Sequence, residues 1–293
     1  ASTMRCVRWD LPLLAAAVLT ACTPSAATAD DAPALSRSLS FHASFDAGTD
    51  ADFARGDRGI LHAVGEARKN PRPGLGSHVR WAKDGGRFGG CLRFEKKIGP
   101  IQYFQGDENI AWKDGDFSGT LSFWLSLDPE RDLLPGFCDP IQMTDKTWND
   151  ACLFVEFNKD KPRRFRMGVF SDLKTWNPTN RDWDSIPEKE RPFVDGGTNL
   201  FAKGRWTHVA MTFDGYNRAG GDATTALYID GELRGVRRAP QKFTWNPTRS
   251  ALMLGLSYIG GYDEIAVFDR ALTPAEVRTL FELPGGARAL HPR

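Results

Sequence analysis

Three copies of the tripeptide Thr-Trp-Asn stand at residues 147–149, 175–177 and 244–246, and the last two extend to an identical Thr-Trp-Asn-Pro-Thr. An indole face stacks on the apolar face of a pyranose ring, and amides or carboxylates beside it hydrogen-bond the ring hydroxyls. The residues of this kind are Trp148, Trp176, Asn177, Asp182, Trp183, Trp245 and Asn246, with Asn180, Arg181 and Asp184 beside them. The competing role for each ring is to plug an end of the fold, because tryptophan is mostly buried in proteins. Proline follows both Asn177 and Asn246 and drives each asparagine extended, so the repeat predicts a shared loop conformation.

Signs of catalysis are few. The sequence has no G-x-S-x-G nucleophile turn, no H-E-x-x-H zinc motif and no phosphate-cradling glycine loop. His208 and Tyr228 are the nearest to a proton-transfer pair, and nothing in the sequence ties one to the other. His42 and His62 have no evident partner.

The elements that must carry these residues read as strands. From Trp206 to Phe213 apolar positions alternate, with Val209, Met211 and Phe213 on one side, the period of a strand. Residues 226–229 and 233–236 flank Asp230-Gly231, a pair that accepts positive φ and marks a hairpin. Further strands are expected over 251–256 and 262–268, and as a hairpin over 151–158 and 164–171. Thr273-Pro274-Ala275-Glu276 is a capping box with proline at the first helical position, so a short helix closes the chain's last unit. Segments 128–150 and 172–203 read as irregular. Long loops of that kind are functional or disordered, and their tryptophans argue for order.

Four stretches taken in order resemble one family. They are Gly86–Phe94 (GRFGGCLRF), Phe117–Leu125 (FSGTLSFWL), Trp206–Gly215 (WTHVAMTFDG), and the C-terminal run from Tyr228-Ile229-Asp230-Gly231 to Asp263–Val277. Over residues 39–284 the chain is similar to laminin-G-like jelly-roll domains of the concanavalin A-like lectin/glucanase superfamily. The resemblance implies an all-β fold, an antiparallel two-sheet β-sandwich (jelly roll) with a short C-terminal helix. It implies that Trp124 and Trp206 pack the sandwich, and that a structural calcium ties the first strand to the last through Asp46 and Asp263, hard oxygen ligands of the type calcium takes. Hydrolases on this fold carry an E-x-D-x-x-E strand motif that sets two carboxylates on one face. Glu130-Arg131-Asp132 begins such a string, but Pro135 and Gly136 stand where its second glutamate belongs. The fold carries lectins, adhesion modules and enzymes alike, so three functions remain: a non-catalytic carbohydrate-binding domain, a polysaccharide lyase or glycoside hydrolase with an unrecognised site, and a protein-binding adhesion module. The first is the reading the motifs support.

The N-terminus carries a second resemblance. Arg5 and Arg8 precede an apolar run from Leu11 to Ala21, and Leu19-Thr20-Ala21-Cys22 is similar to the bacterial lipoprotein cleavage motif. The run is too short to span a bilayer, which takes ~20 helical residues, so it reads as a secretory signal. Residues 1–21 are expected to be removed, Cys22 to carry lipid, 22–38 to act as a flexible tether and 285–293 as a tail. Thr23 in place of aspartate implies an outer-membrane or cell-surface address.

Removing residues 1–21 takes Arg5, Arg8 and Asp10 and leaves 36 basic and 36 acidic residues. A neutral mature chain argues against nucleic acid or anionic lipid as partner. Three cysteines remain beyond Cys22. Cys138 and Cys152 are expected to close a small disulfide ring, which exported proteins permit, and Cys91 to be buried packing.

Overall fold

The computed structural model describes residues 31–65 and 67–291. Cys22 and the signal segment lie outside the described residues. Two antiparallel sheets face each other. Sheet A runs in the order β15 (Glu232–Ala239), β14 (Ala223–Ile229), β13 (Thr207–Tyr216), β8 (Phe117–Ser126), β17 (Gly260–Phe268), β1 (Leu39–Ala43) and β2 (Phe53–Ala54), and β6 (Cys91–Phe94) with β5 (Val79–Ala82) adds on at β17. Sheet B runs β12 (Phe193–Thr198), β11 (Arg164–Phe170), β10 (Cys152–Phe157), β9 (Cys138–Thr144), β16 (Ala251–Leu256), β7 (Ile101–Gln105), β3 (Ile60–Val64) and β4 (Lys69–Pro73). This is the expected jelly-roll sandwich.

Strand alternation fixes the core. Leu121, Phe123 and Leu125 of β8 and Val209, Met211 and Phe213 of β13 point inward, where they meet Leu153, Val155 and Phe157 of β10 and Leu252 and Leu254 of β16. The residues between them face outward, so each sheet has a second face to cover. On sheet A the cover is α4 (Pro274–Glu282), whose expected capping box forms: Thr273 Oγ1 accepts from Glu276 N–H, and Glu276 returns a bond to the Thr273 backbone. Phe281 of α4 stacks on Trp124 at 5.6 Å, and Val277 and Leu280 pack on Ala210, Tyr228 and Ala266. His208, buried beside Trp124, bonds Ser122 Oγ on the neighbouring strand at 2.8 Å. That bond uses Nε2; Nδ1 is enclosed without a partner, and the ring is buried away from any open cleft.

Both termini of the domain are more ordered than expected. Residues 31–38, expected within the tether, form helix α1 (Asp31–Ser38), and its Leu35 is buried with Leu39 and Leu290. Residues 286–290 of the expected tail form a 3-10 turn with Ala287 and Leu290 buried. The Ala287 N–H donates to Glu264 Oε2 at 2.6 Å, and His42 Nε2 meets the same oxygen at 3.1 Å.

The expected disulfide is absent. Cys138 and Cys152 open neighbouring antiparallel strands, and in register Cys138 faces Phe157 rather than Cys152. At ~3.3 Å per residue their Cα atoms stand roughly 16 Å apart, whereas a disulfide needs about 4.4–6.8 Å. No bond joins them. Cys138 is buried in the main core, where desolvation pushes its thiol well above the usual value.

Candidate functional site

The stretch between β8 and β13 builds the side of the molecule that departs most from a plain sandwich. Cys152, Phe154 and Phe170 face outward from β10 and β11. Left bare, they would expose a large apolar patch to water. Residues 172–192 fold over them as α3 (Leu173–Trp176) and two 3-10 turns, 183–185 and 188–190. Phe170 sits at the centre, with ring centroids of Trp176 at 5.1 Å, Phe193 at 5.3 Å, Trp148 at 5.5 Å and Trp183 at 6.1 Å. Trp148 and Trp183 meet edge to face at 5.3 Å.

The candidate residues thus divide. Trp148, Trp176 and Trp183 come together, each half-buried. Trp245 does not join them. It is 4 % exposed, packed on Phe117 and Phe243 in the main core, and offers no face to a ligand. Asn246 is extended before its proline, as expected, with ψ of 110°, but Asn177 has ψ of 64° and ends α3, so the two copies do not share one loop conformation. Their side chains act differently. Asn177 is buried and closes a loop by two 2.9 Å bonds to the Arg181 backbone. Asn246 is exposed and caps the 3-10 turn 247–249 through Thr248 N–H. Asp182 is exposed and makes no side-chain cap.

Beside the tryptophan cluster lies a groove of about 500 Å³, lined by Arg164, Arg166, Glu188, Lys189, Arg191, Phe193, Asp195 and Arg237. Arg164 and Arg166 are two apart on β11 and share a face. Phe193 and Asp195 do the same on β12, and Arg237 arrives from β15. The edges of the two sheets meet here so closely that a Cβ on Gly235 of β15 would fall 2.7 Å from Val194 of β12. Arg166 is nearly buried, donates to Glu156 Oε1 at 2.5 Å, and holds its guanidinium 3.7 Å over the Phe193 ring. Arg191 donates to the Ile186 and Trp183 carbonyls at 3.1 Å and lies 4.2 Å over the Trp183 ring. Arg164 pairs with Asp195. Sequence reasoning missed this set because its members come from four separate segments. The only local signal is Arg-Phe-Arg at 164–166, charge alternating with an apolar residue.

Chemically the groove offers donors and one aromatic ring. The most perturbed acid nearby is Asp139, lifted to about 8 by burial and then by the charge of Glu156. Its Oδ2 accepts from Gln142 at 2.6 Å while Oδ1 is enclosed without a partner. Neither Asp139 nor Glu156 lines the groove. A second concavity of about 380 Å³ is lined by Arg87, Trp124, Trp206, Asp230 and Phe281 among others. Its Trp124 is stacked on Phe281 and covered by Arg87 at 4.9 Å, which leaves no open ring face.

Asp46 and Asp263, the expected calcium ligands, do meet at one loop. Asp46 Oδ1 accepts from Gly90 N–H at 3.1 Å, and Asp263 Oδ2 accepts from Arg87 and Phe88 N–H at 2.5 and 3.0 Å. Burial lifts Asp263 to about 8 and raises Asp46 as well. Asp263 Oδ1 and Glu264 Oε1 are each enclosed with no partner, and carboxylate oxygens are of the hard type that calcium takes. Among the described residues no three His, Cys, Asp or Glu side chains gather as an ion site, so further ligands would be backbone carbonyls or water.

Comparison with known proteins agrees with this architecture. Residues 139–278 match the Laminin_G_3 family model, described as Concanavalin A-like lectin/glucanases superfamily. No curated protein matches the sequence. Among solved structures, domain 4 of AbnA, a GH43 extracellular arabinanase from Geobacillus stearothermophilus solved with arabinotriose, superposes with a TM-score of 0.51 at 17% identity, covering 83% of this chain and 98% of that one. The binding domain of botulinum neurotoxin serotype D superposes at 0.55 with 12% identity, covering 85% of this chain and 52% of that one. The binding domain of Paraclostridial Mosquitocidal Protein 1 gives 0.53 at 14% identity, with 84% and 52% covered. The chain thus spans about half the length of the toxin domains it matches. At these identities the likeness concerns the fold. With two antiparallel sheets, a capped C-terminal helix and a family match over residues 139–278, a little under half of the chain, this jelly roll is similar to the domains of the concanavalin A-like lectin/glucanases superfamily.

Proposed function

We propose that this is an exported, lipid-anchored protein whose jelly roll binds carbohydrate without catalysis. The observation that carries the reading is the groove beside β11 and β12, where Phe193 and seven charged side chains converge. A groove with many fixed donors around a half-buried ring matches a ligand with a rim of hydroxyls. The shared fold with an arabinanase domain solved with arabinotriose supports it. The half-buried Trp183 and Trp148 form the wall behind Arg191. Anchoring through Cys22, at an outer membrane or cell surface, rests on the N-terminal motif. Calcium at Asp46 and Asp263 belongs to the proposal as a structural ion: those two carboxylates would hold it, and it would supply positive charge to an acidic, buried corner.

The test is a glycan-array screen of the protein, with and without calcium, repeated for Phe193→Ala. The reading expects at least one glycan to be retained by the parent and lost by the variant. A parent that retains none across neutral and acidic arrays ends it. Cleavage of any retained glycan would move the protein to the lyase or hydrolase alternative.

A further inference from the structure

We infer that the groove takes an acidic saccharide, a chain whose sugar rings carry carboxylate or sulfate groups. This rests on the carbohydrate-binding reading and specifies its substrate class.

The inference comes from the charges of the lining. Five cations, Arg164, Arg166, Lys189, Arg191 and Arg237, face two carboxylates, Glu188 and Asp195. Arg164 is matched by Asp195, and Arg166 by Glu156 behind it with Glu188 at 3.7 Å. Lys189, Arg191 and Arg237 have no carboxylate within ion-pair distance among the described residues. Arg237 goes further: its Nε is enclosed and makes no hydrogen bond. Burial also lowers its pKa from the usual arginine value.

The type of cation narrows the ligand. Four of the five are arginines, and the guanidinium fork matches a planar or tetrahedral oxyanion by paired donors where lysine offers a point charge. Two of the forks are held in advance. Arg191 is fixed by two carbonyls and the Trp183 ring, and Arg166 by Glu156 and the Phe193 ring. Preorganised donors lose less freedom on binding. A neutral glycan would leave the three unmatched cations facing hydroxyls alone. The chain has a formal charge of only +1, so the concentration of cations belongs to the groove and not to the surface at large.

The experiment titrates the protein by calorimetry with an oligogalacturonate, a sulfated oligosaccharide and a neutral galactose oligosaccharide of equal length. Arg237→Gln and the exposed Lys189→Gln are measured beside the parent. The inference expects one of the two anionic chains to bind at least tenfold tighter than the neutral one, with the tighter anion identifying carboxylate or sulfate. It expects affinity to fall about tenfold in Arg237→Gln and about threefold in Lys189→Gln, on the scale of lost charge-assisted bonds. Equal affinity for neutral and anionic chains overturns the inference and leaves the carbohydrate reading standing. Binding of none of the three, with glycan arrays also blank, removes both. Anion binding unchanged in both variants overturns the assignment to this groove, and so does tighter binding of single-stranded DNA than of either saccharide.

Discussion

The indole N–H of Trp176 donates to the Asn149 carbonyl at 2.8 Å, so one copy of Thr-Trp-Asn holds the backbone of another. Trp245, in the third copy, donates to the Ala151 carbonyl at 2.7 Å, two residues further along. The repeat converges on segment 149–151, where the chain enters β10, and acts as a clamp instead of a row of open platforms.

That clamp predicts a graded loss of stability. Trp245→Ala removes a buried ring and its bond and should cost about 4 kcal/mol. Trp176→Ala, at a half-buried ring, should cost about 2 kcal/mol. Urea unfolding of both variants checks the order. A Trp176→Ala protein as stable as the parent but deficient in glycan binding would return Trp176 to the ligand site.

A calcium ion shared by Asp46 and Asp263 would bind the folded state alone, adding ~2.7 kcal/mol at a hundredfold excess over its dissociation constant. The melting temperature should therefore drop when a chelator is added, and Asp263→Ala should abolish that response. A melt indifferent to chelator leaves the two carboxylates as anchors for the backbone N–H groups of residues 87–90.

Acid should weaken the fold through His208. Burial lowers this imidazole to about 3, against ~6.5 when unfolded. Below pH 6.5 the unfolded chain takes up a proton that the folded one refuses, so stability is present above that value and is lost as pH falls toward 3. The slope should be about 1 kcal/mol per pH unit. His208→Gln, which can keep a bond to Ser122, should flatten the decline, as followed by melting temperature between pH 4 and 7. A parent and variant with parallel curves would show that other groups dominate the acid response.

Location turns on one atom, the sulfur of Cys22. In a bacterial host Cys22→Ser should abolish lipid labelling and release the protein from the membrane fraction. A Cys22→Ser protein still in the membrane, with no lipid on the parent, would sink the anchoring proposal.

The sandwich was legible because its strands write their geometry locally. Asp230-Gly231 turns with both φ values positive, 51° and 76°, and β16 spans residues 251–256 as the pattern predicts. β9 and β12 were not legible. Pro140 interrupts the alternation of Cys-Asp-Pro-Ile-Gln-Met-Thr, and Gly196-Gly197 removes the side-chain signal from β12. Both became strands because neighbours already in the sheet offered unpaired edges, which is tertiary context. The same limit hid the groove. Arg166, Arg191 and Arg237 are scattered in sequence and meet only after the edges of β12 and β15 close.

The two ends of sheet B have opposite fates. At one, β12 is shielded by β15. At the other, β4 lies exposed along all five residues, Lys69 to Pro73, with prolines at 71 and 73 and a cation at 69 and 72. Proline has no N–H to extend the ladder, and like charges repel a second copy of the same strand. Such an edge is poorly made for joining a neighbouring molecule edge to edge into a continuous sheet.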